Sequence, residues 1–146
     1  MKITLPDNSS RELPEGSSGY DLAKDIGPGL AKSAIAVTID GVQKDLYDVI
    51  DSDASVSIIT IDSDEGVEIM RHTLTAQVLA RAIKNLYPES KLAIGPTVKD
   101  GFYYDVDFQN STFSENDFSK IENKMIEEAR KDHCFEMREI SNSDAL

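Results

Sequence analysis

The sequence predicts an α+β protein in two parts, a β-rich module over residues 1–62 and a second α+β part over residues 63–146. Three observations carry this. In the first part, short stretches of alternating apolar and polar residues are broken by turn sequences and one helix-cap signature. A long helical pattern then begins near Ser63 and runs to about Tyr87, where Pro88 stops it. Beyond it, an alternating hairpin pattern leads into a second capped helix.

In the first part, Ile3 and Leu5 alternate with polar neighbours before the turn sequence Pro6-Asp7-Asn8, and Arg11-Glu12-Leu13 reads as the returning strand. Ser18 and Asp21 make an acidic variant of the capping box, opening a short helix with Leu22 and Ile26 on one face. Gly27-Pro28 is expected to stop it. Ile35, Val37 and Ile39 alternate up to Asp40-Gly41, a strong hairpin-turn signal, and Ser55 to Ile61 is a β-branched run. The order strand, strand, helix, strand, turn, strand fits a ubiquitin-like β-grasp, in which one helix covers a mixed sheet.

The long helix starts beside Asp62-Ser63-Asp64-Glu65-Gly66, with Ser63 as N-cap and acids in the first turn. Its apolar residues fall on two stripes, Val67, Met70, Leu74, Val78 and then Ala76, Leu79, Ala80, Ile83, Tyr87. Two stripes predict either burial between layers or a jog in helical register. After Pro88, Leu92 to Ile94 and Phe102 to Phe108 flank the turn Lys99-Asp100-Gly101. Phe102, Tyr104, Val106 and Phe108 share one face; Tyr103, Asp105 and Asp107 share the other. Ser114 and Asp117 cap the next helix, Phe113 and Phe118 staple its start, and Phe118, Ile121, Met125 and Ala129 are its expected core face. A strand is expected around Phe135 to Ile140. Ser141 or Ser143 then reads as the cap of an element cut short at Leu146, as at an artificial boundary within a larger protein or in a truncated gene.

Composition narrows the function. The chain is 40% hydrophobic and 29% charged, enough apolar mass for a core, with no low-complexity tract. No apolar run approaches the ~18 residues of a membrane helix, and no secretion signal opens the chain. The single Cys134 excludes an internal disulfide and a cysteine-built zinc site, and suits a reducing cytoplasm. Neither a membrane nor a DNA partner is expected. The net charge of −12 argues against a nucleic-acid grip spread over the whole surface. One segment departs from that acidity. Arg71, Arg81, Lys84, Lys91 and Lys99 stand against Glu89 alone, a local balance of +4, and are the expected RNA-contacting groups. A solvated helix face explains the same charges equally well.

Several segments then resemble a known family. Ile3-Thr4-Leu5-Pro6-Asp7, Asp25-Ile26-Gly27-Pro28-Gly29-Leu30-Ala31-Lys32 and Ser57-Ile58-Ile59-Thr60 resemble the TGS module at the front of bacterial threonyl-tRNA synthetases. Glu68-Ile69-Met70-Arg71-His72, Ala82-Ile83-Lys84, Leu86-Tyr87-Pro88, Ile94-Gly95-Pro96 and Gly101-Phe102-Tyr103-Tyr104-Asp105 resemble the start of that family's editing domain. The resemblance implies an N-terminal piece of a modular enzyme that joins threonine to its tRNA with ATP. This piece would contribute tRNA contact and hydrolysis of mischarged seryl-tRNA, a step warranted because one methyl gives a binding site only ~1–3 kcal/mol of discrimination. ATP, magnesium and zinc would belong to a catalytic core outside this chain, which needs no cofactor of its own. Alone it is expected to bind tRNA weakly and to show no ligation. The alternative is a free-standing TGS-type regulatory module that binds RNA or protein without catalysis.

The family takes a His-x-x-x-His pair from the long helix for editing. Matching from Arg71 places the first histidine at His72; matching back from Ala82-Ile83-Lys84 places the second at Gln77. The spacing is five rather than four, and the second histidine is a glutamine. His72 and Gln77 are therefore the candidate catalytic residues, as a degenerate pair. In a straight helix Gln77 would point about 140° away from His72, so a π-turn or the loss of the site is expected. The adjacent His133-Cys134 cannot make a four-ligand metal site, and no metal ligand set is assigned.

Overall fold

The computed structural model describes residues 1–135 and 138–144. The chain divides into two compact units, Met1–His72 and Thr73–Leu146.

In the first unit, β1 (Lys2–Thr4) and β2 (Ser10–Glu12) form an antiparallel hairpin with Ile3 opposite Arg11. Asn8 takes the left-handed conformation in its turn (φ 65°), a conformation Asn tolerates better than most residues. The helix α1 (Gly19–Ile26) carries the expected capping box: the Ser18 N–H donates to Asp21 Oδ2 at 2.9 Å and the Asp21 N–H donates to Ser18 Oγ at 3.3 Å. Gly27-Pro28 ends α1, but it does more than the sequence suggests. Pro28 opens a second short helix, α2 (Pro28–Ser33), because a proline at the first helical position has no needed N–H to lose.

Strands β3 (Ala34–Ile39), β4 (Val42–Asp45) and β5 (Ala54–Thr60) complete a sheet of order β2-β1-β5-β3-β4. β1 and β5 run parallel and the other neighbours antiparallel, the β-grasp arrangement expected from the element order. Asp40 (φ 49°) and Gly41 (φ 81°) form the tight β3–β4 turn, whose positive dihedrals explain the Asp-Gly pair. Ile3, Leu13, Leu22, Val37, Ile50 and Val56 form the main core. The simple alternation expected for β3 fails at its start. A register shift between Ala34 and Ala36 buries both alanines, and Ala34 joins Ala23 and Leu46 in a second small cluster.

The long helix comprises α3 (Asp64–Thr73), a π-helical segment (Leu74–Leu79) and α4 (Ala80–Leu86). Ser63 caps it, its Oγ accepting from the Gly66 N–H at 3.0 Å. The two stripes have different fates. Ile83 and Tyr87 are buried, whereas Val67, Met70 and Leu74 are each more than a third exposed, so the doubled stripe records a change of register and not burial on two sides.

In the second unit, β6 (Lys91–Leu92) pairs with β9 (Val106–Asp107), and β7 (Thr97–Val98) pairs with β8 (Gly101–Phe102). Bonds from Ala93 N–H to Asp105 O (3.0 Å) and from Tyr103 N–H to Pro96 O (3.0 Å) join the two pairs into one long hairpin. Phe102, Tyr104, Val106 and Phe108 turn inward and Tyr103, Asp105 and Asp107 outward, as the alternation predicts. A 3₁₀ turn (Glu115–Asp117) precedes α5 (Phe118–Arg130), with the Ser114 N–H donating to Asp117 Oδ2 at 3.0 Å. Phe113 stacks on Phe108, ring centres 4.4 Å apart, and approaches Phe118 at 5.7 Å across the cap. The core face of α5 is not the one expected. Ile121 is buried and Met125 half-buried, but Phe118 and Ala129 are exposed while Glu128 is buried. Of the expected C-terminal strand, Glu136 and Met137 lie outside the described residues, and Phe135 and 138–140 are irregular and exposed. Ser141 Oγ caps a single turn by accepting from the Asp144 N–H at 3.3 Å.

Candidate functional site

The long helix changes register through the π segment, the jog that its two apolar stripes predict. The Ala80 N–H reaches back to Thr75 O, five residues away, as well as to Gln77 O. Thr75 is fully buried inside this segment and Gln77 is exposed on it, while His72 is exposed in the last turn of α3. A π-turn is an energetically unfavoured insertion that persists where packing holds it, often at functional sites. Here Gly95 supplies packing: a β-carbon at 95 would stand 2.7 Å from Thr75 Cγ2 and would overlap the Tyr104 ring. The hairpin and the π-turn are thus pressed together at a residue without a side chain.

Beside this contact lies a cleft of about 1080 Å³ walled by Leu79, Ile83, Leu92, Tyr104, Phe108 and Met125. Lys91, Asp105, Asp107 and Glu122 supply charged groups to its lining, an apolar space with a few polar groups in the manner of ligand sites. Tyr87, buried beside it, meets Phe108 edge-on at 5.0 Å. The Tyr87 hydroxyl lacks a well-formed hydrogen bond among the described residues. Burial, and next the Asp117 carboxylate, raise its pKa above the ordinary phenol value.

The five basic residues expected to touch RNA are not equivalent. Lys84 donates to Pro88 O (2.6 Å) and Ser90 O (2.8 Å), tying down the chain just after α4. Arg81 Nε stands 3.3 Å from Glu128 Oε2. Lys91 is exposed at the cleft and Lys99 at the hairpin tip, while Arg71 is half-buried in α3. Arg81 and Lys84 therefore also serve the fold of the second unit.

Sequence reasoning missed Glu128. It follows Ile121 and Met125 at helical spacing, so a charge on the apolar stripe was the available signal. Its Oε1 accepts from Lys131 Nζ at 2.7 Å and Asn85 Nδ2 at 3.0 Å, with Lys124 Nζ at 3.4 Å. The Lys131 hydrogen bond is the chief cause of a Glu128 pKa held below the ordinary value. His133 Nε2 lies 3.9 Å from Glu128 Oε2, and Cys134 is exposed. Among the described residues, no group of three or more His, Cys, Asp or Glu is placed to hold a metal ion. Among them, too, no helix is long and apolar enough to cross a membrane.

The β-grasp of the first unit defines the class: residues 1–60 match the family model described as TGS domain. The chain as a whole is 47% identical, over all 146 residues, to "Threonine--tRNA ligase" of Geobacter sp. (strain M21), covering 100% of this chain and 23% of that protein. The corresponding protein of Citrifermentans bemidjiense (strain ATCC BAA-1014 / DSM 16622 / JCM 12645 / Bem) gives the same 47% identity over the same 146 residues and 23% of its length. Over its whole length, then, this chain is similar to threonine–tRNA ligases, and it spans about a quarter of those relatives' length.

Proposed function

We propose that this chain serves as the N-terminal region of a cytoplasmic threonine–tRNA ligase, contributing tRNA contact and post-transfer editing of seryl-tRNA to an enzyme that ligates threonine with ATP. The observation that carries this reading is the 47% identity extending through residues 61–146, beyond the TGS domain. A free-standing TGS module would account for the first unit alone. The partners are tRNA and the remainder of the synthetase.

In this reading the π segment and the neighbouring cleft are the editing part, with His72 and Gln77 as its degenerate pair. Gln77 can hold a water or a ribose hydroxyl by hydrogen bonds, but it has no nitrogen that titrates near neutral pH and cannot act as a general base. Editing is therefore weak in this protein.

The test uses the ligase that carries this region. Removing residues 63–146 should spare threonine ligation and raise seryl-tRNA accumulation only slightly, by the loss of an already weakened editing step. A parent protein that does not charge threonine overturns the ligase reading; unchanged seryl-tRNA on deletion overturns the editing part.

A further inference from the structure

We propose that Arg81, Lys124 and Lys131 form a phosphate-contacting patch across α4 and α5, and that buried Glu128 is the residue that positions it. This rests on the tRNA reading above and names the surface that would carry it.

Glu128 is the one charged residue in the buried set among the described residues, its side chain only 2% exposed. A carboxylate taken out of water persists only when cations and hydrogen bonds compensate it. The compensation here comes from two helices at once. Arg81 and Asn85 approach from α4, Lys124 and Lys131 from α5 and the residue after it. Glu127 contributes a second, exposed carboxylate that pairs with Lys124 at 2.8 Å and Lys131 at 3.3 Å. Three permanent cations thus meet two carboxylates, and the more exposed heads are those of Arg81 (57%) and Lys131 (41%).

The geometry gives each group a task. Arg81 Nε stands 3.3 Å from Glu128 Oε2 as an ion pair without a formed hydrogen bond, so Glu128 holds the exposed guanidinium by charge, and a guanidinium kept in place can grip phosphate in two-point fashion. Without the buried carboxylate the cations would repel one another and disperse. In a chain of net charge −12, a small, fixed cationic patch is what a phosphodiester backbone can use without attraction from the whole surface.

The experiment measures tRNA binding to the full 146-residue chain by fluorescence anisotropy across a salt series. Variants are Arg81→Lys, Lys131→Ala and Glu128→Gln, each checked by circular dichroism. Arg81→Lys keeps the charge and loses the fork, and should weaken binding about tenfold. Lys131→Ala should weaken it and flatten the salt slope by about one. Glu128→Gln is the decisive variant. Net charge alone predicts tighter binding, because a negative charge is lost; positioning predicts weaker binding and a flatter salt slope. Should Glu128→Gln fail to fold, the two surface variants still decide the matter. Unchanged binding in both, or tighter binding with folded Glu128→Gln, overturns the patch. If the parent ligase still charges threonine in that case, the ligase reading stands without it.

Discussion

Gly95 and Tyr104 meet so closely that the Tyr104 ring occupies the space a β-carbon at 95 would need, with Thr75 of the π segment on the same side. Gly95→Ala must therefore push the ring, the hairpin or the π-turn. Overpacking of this kind costs about 1–3 kcal/mol. The expected outcome is a lower urea midpoint, together with faster hydrogen exchange of the Ala80 amide that bonds back to Thr75. An unchanged midpoint would mean that the contact carries no constraint.

The β-grasp was legible because its signals are local. Ser18 with Asp21, Asp40-Gly41 and the strand alternations each specify one piece of backbone, and the pieces permit few arrangements. Other features were set by partners distant in sequence. The second helix at Pro28 needs only a compatible first position, which the stop signal of Gly27-Pro28 concealed. Burial of Glu128 in place of Ala129 depends on cations from Arg81 and Lys131, which no single window contains. The π-turn lay between these cases. Two offset apolar stripes hinted at it, but buried Thr75 and its fit to Gly95 appear only in three dimensions.

The Ser18–Asp21 box offers a test confined to the first unit. Ser18→Ala removes the acceptor for the Asp21 N–H at the start of α1, whose Leu22 is fully buried in the main core. Loss of an N-cap costs about 0.5–2 kcal/mol. Urea denaturation should register that loss. Full stability in Ser18→Ala would show that the box is not needed once the sheet holds the helix.

Glu128 should also leave a signature in the pH dependence of stability. Lys131, and after it Lys124, hold its folded pKa below the ordinary 4.5 against the opposing effect of burial. A depressed carboxylate contributes stability that is complete above its unfolded pKa and is lost as pH falls through the folded value. Glu128→Gln should therefore be less stable than the parent near neutrality, and the gap should close in acid. Melting curves at several pH values measure this. Parallel curves for the two proteins would contradict the role assigned to the ion cluster.

The π segment yields the sharpest functional test. Its six residues, Leu74–Leu79, follow His72 and contain Gln77, and under the proposed editing reading they absorb the extra residue expected between that pair. Leu74 is 40% exposed, whereas Thr75 beside it is fully buried against the hairpin, so Leu74 is the residue to delete. The shortened helix can then relax from i→i+5 to i→i+4 bonding without disturbing the Thr75–Gly95 contact. Combining that deletion with Gln77→His in the full-length ligase restores both the family spacing and a titratable nitrogen. A positioned general base is worth about 10²–10⁴-fold in rate. Hydrolysis of seryl-tRNA should rise to a comparable degree, with threonine ligation unchanged. Deletion alone should give little gain, because glutamine cannot take the proton. If the unmodified ligase already hydrolyses seryl-tRNA as fast as the double variant, then the π-turn and Gln77 constitute a working site and the degenerate-pair reading is wrong.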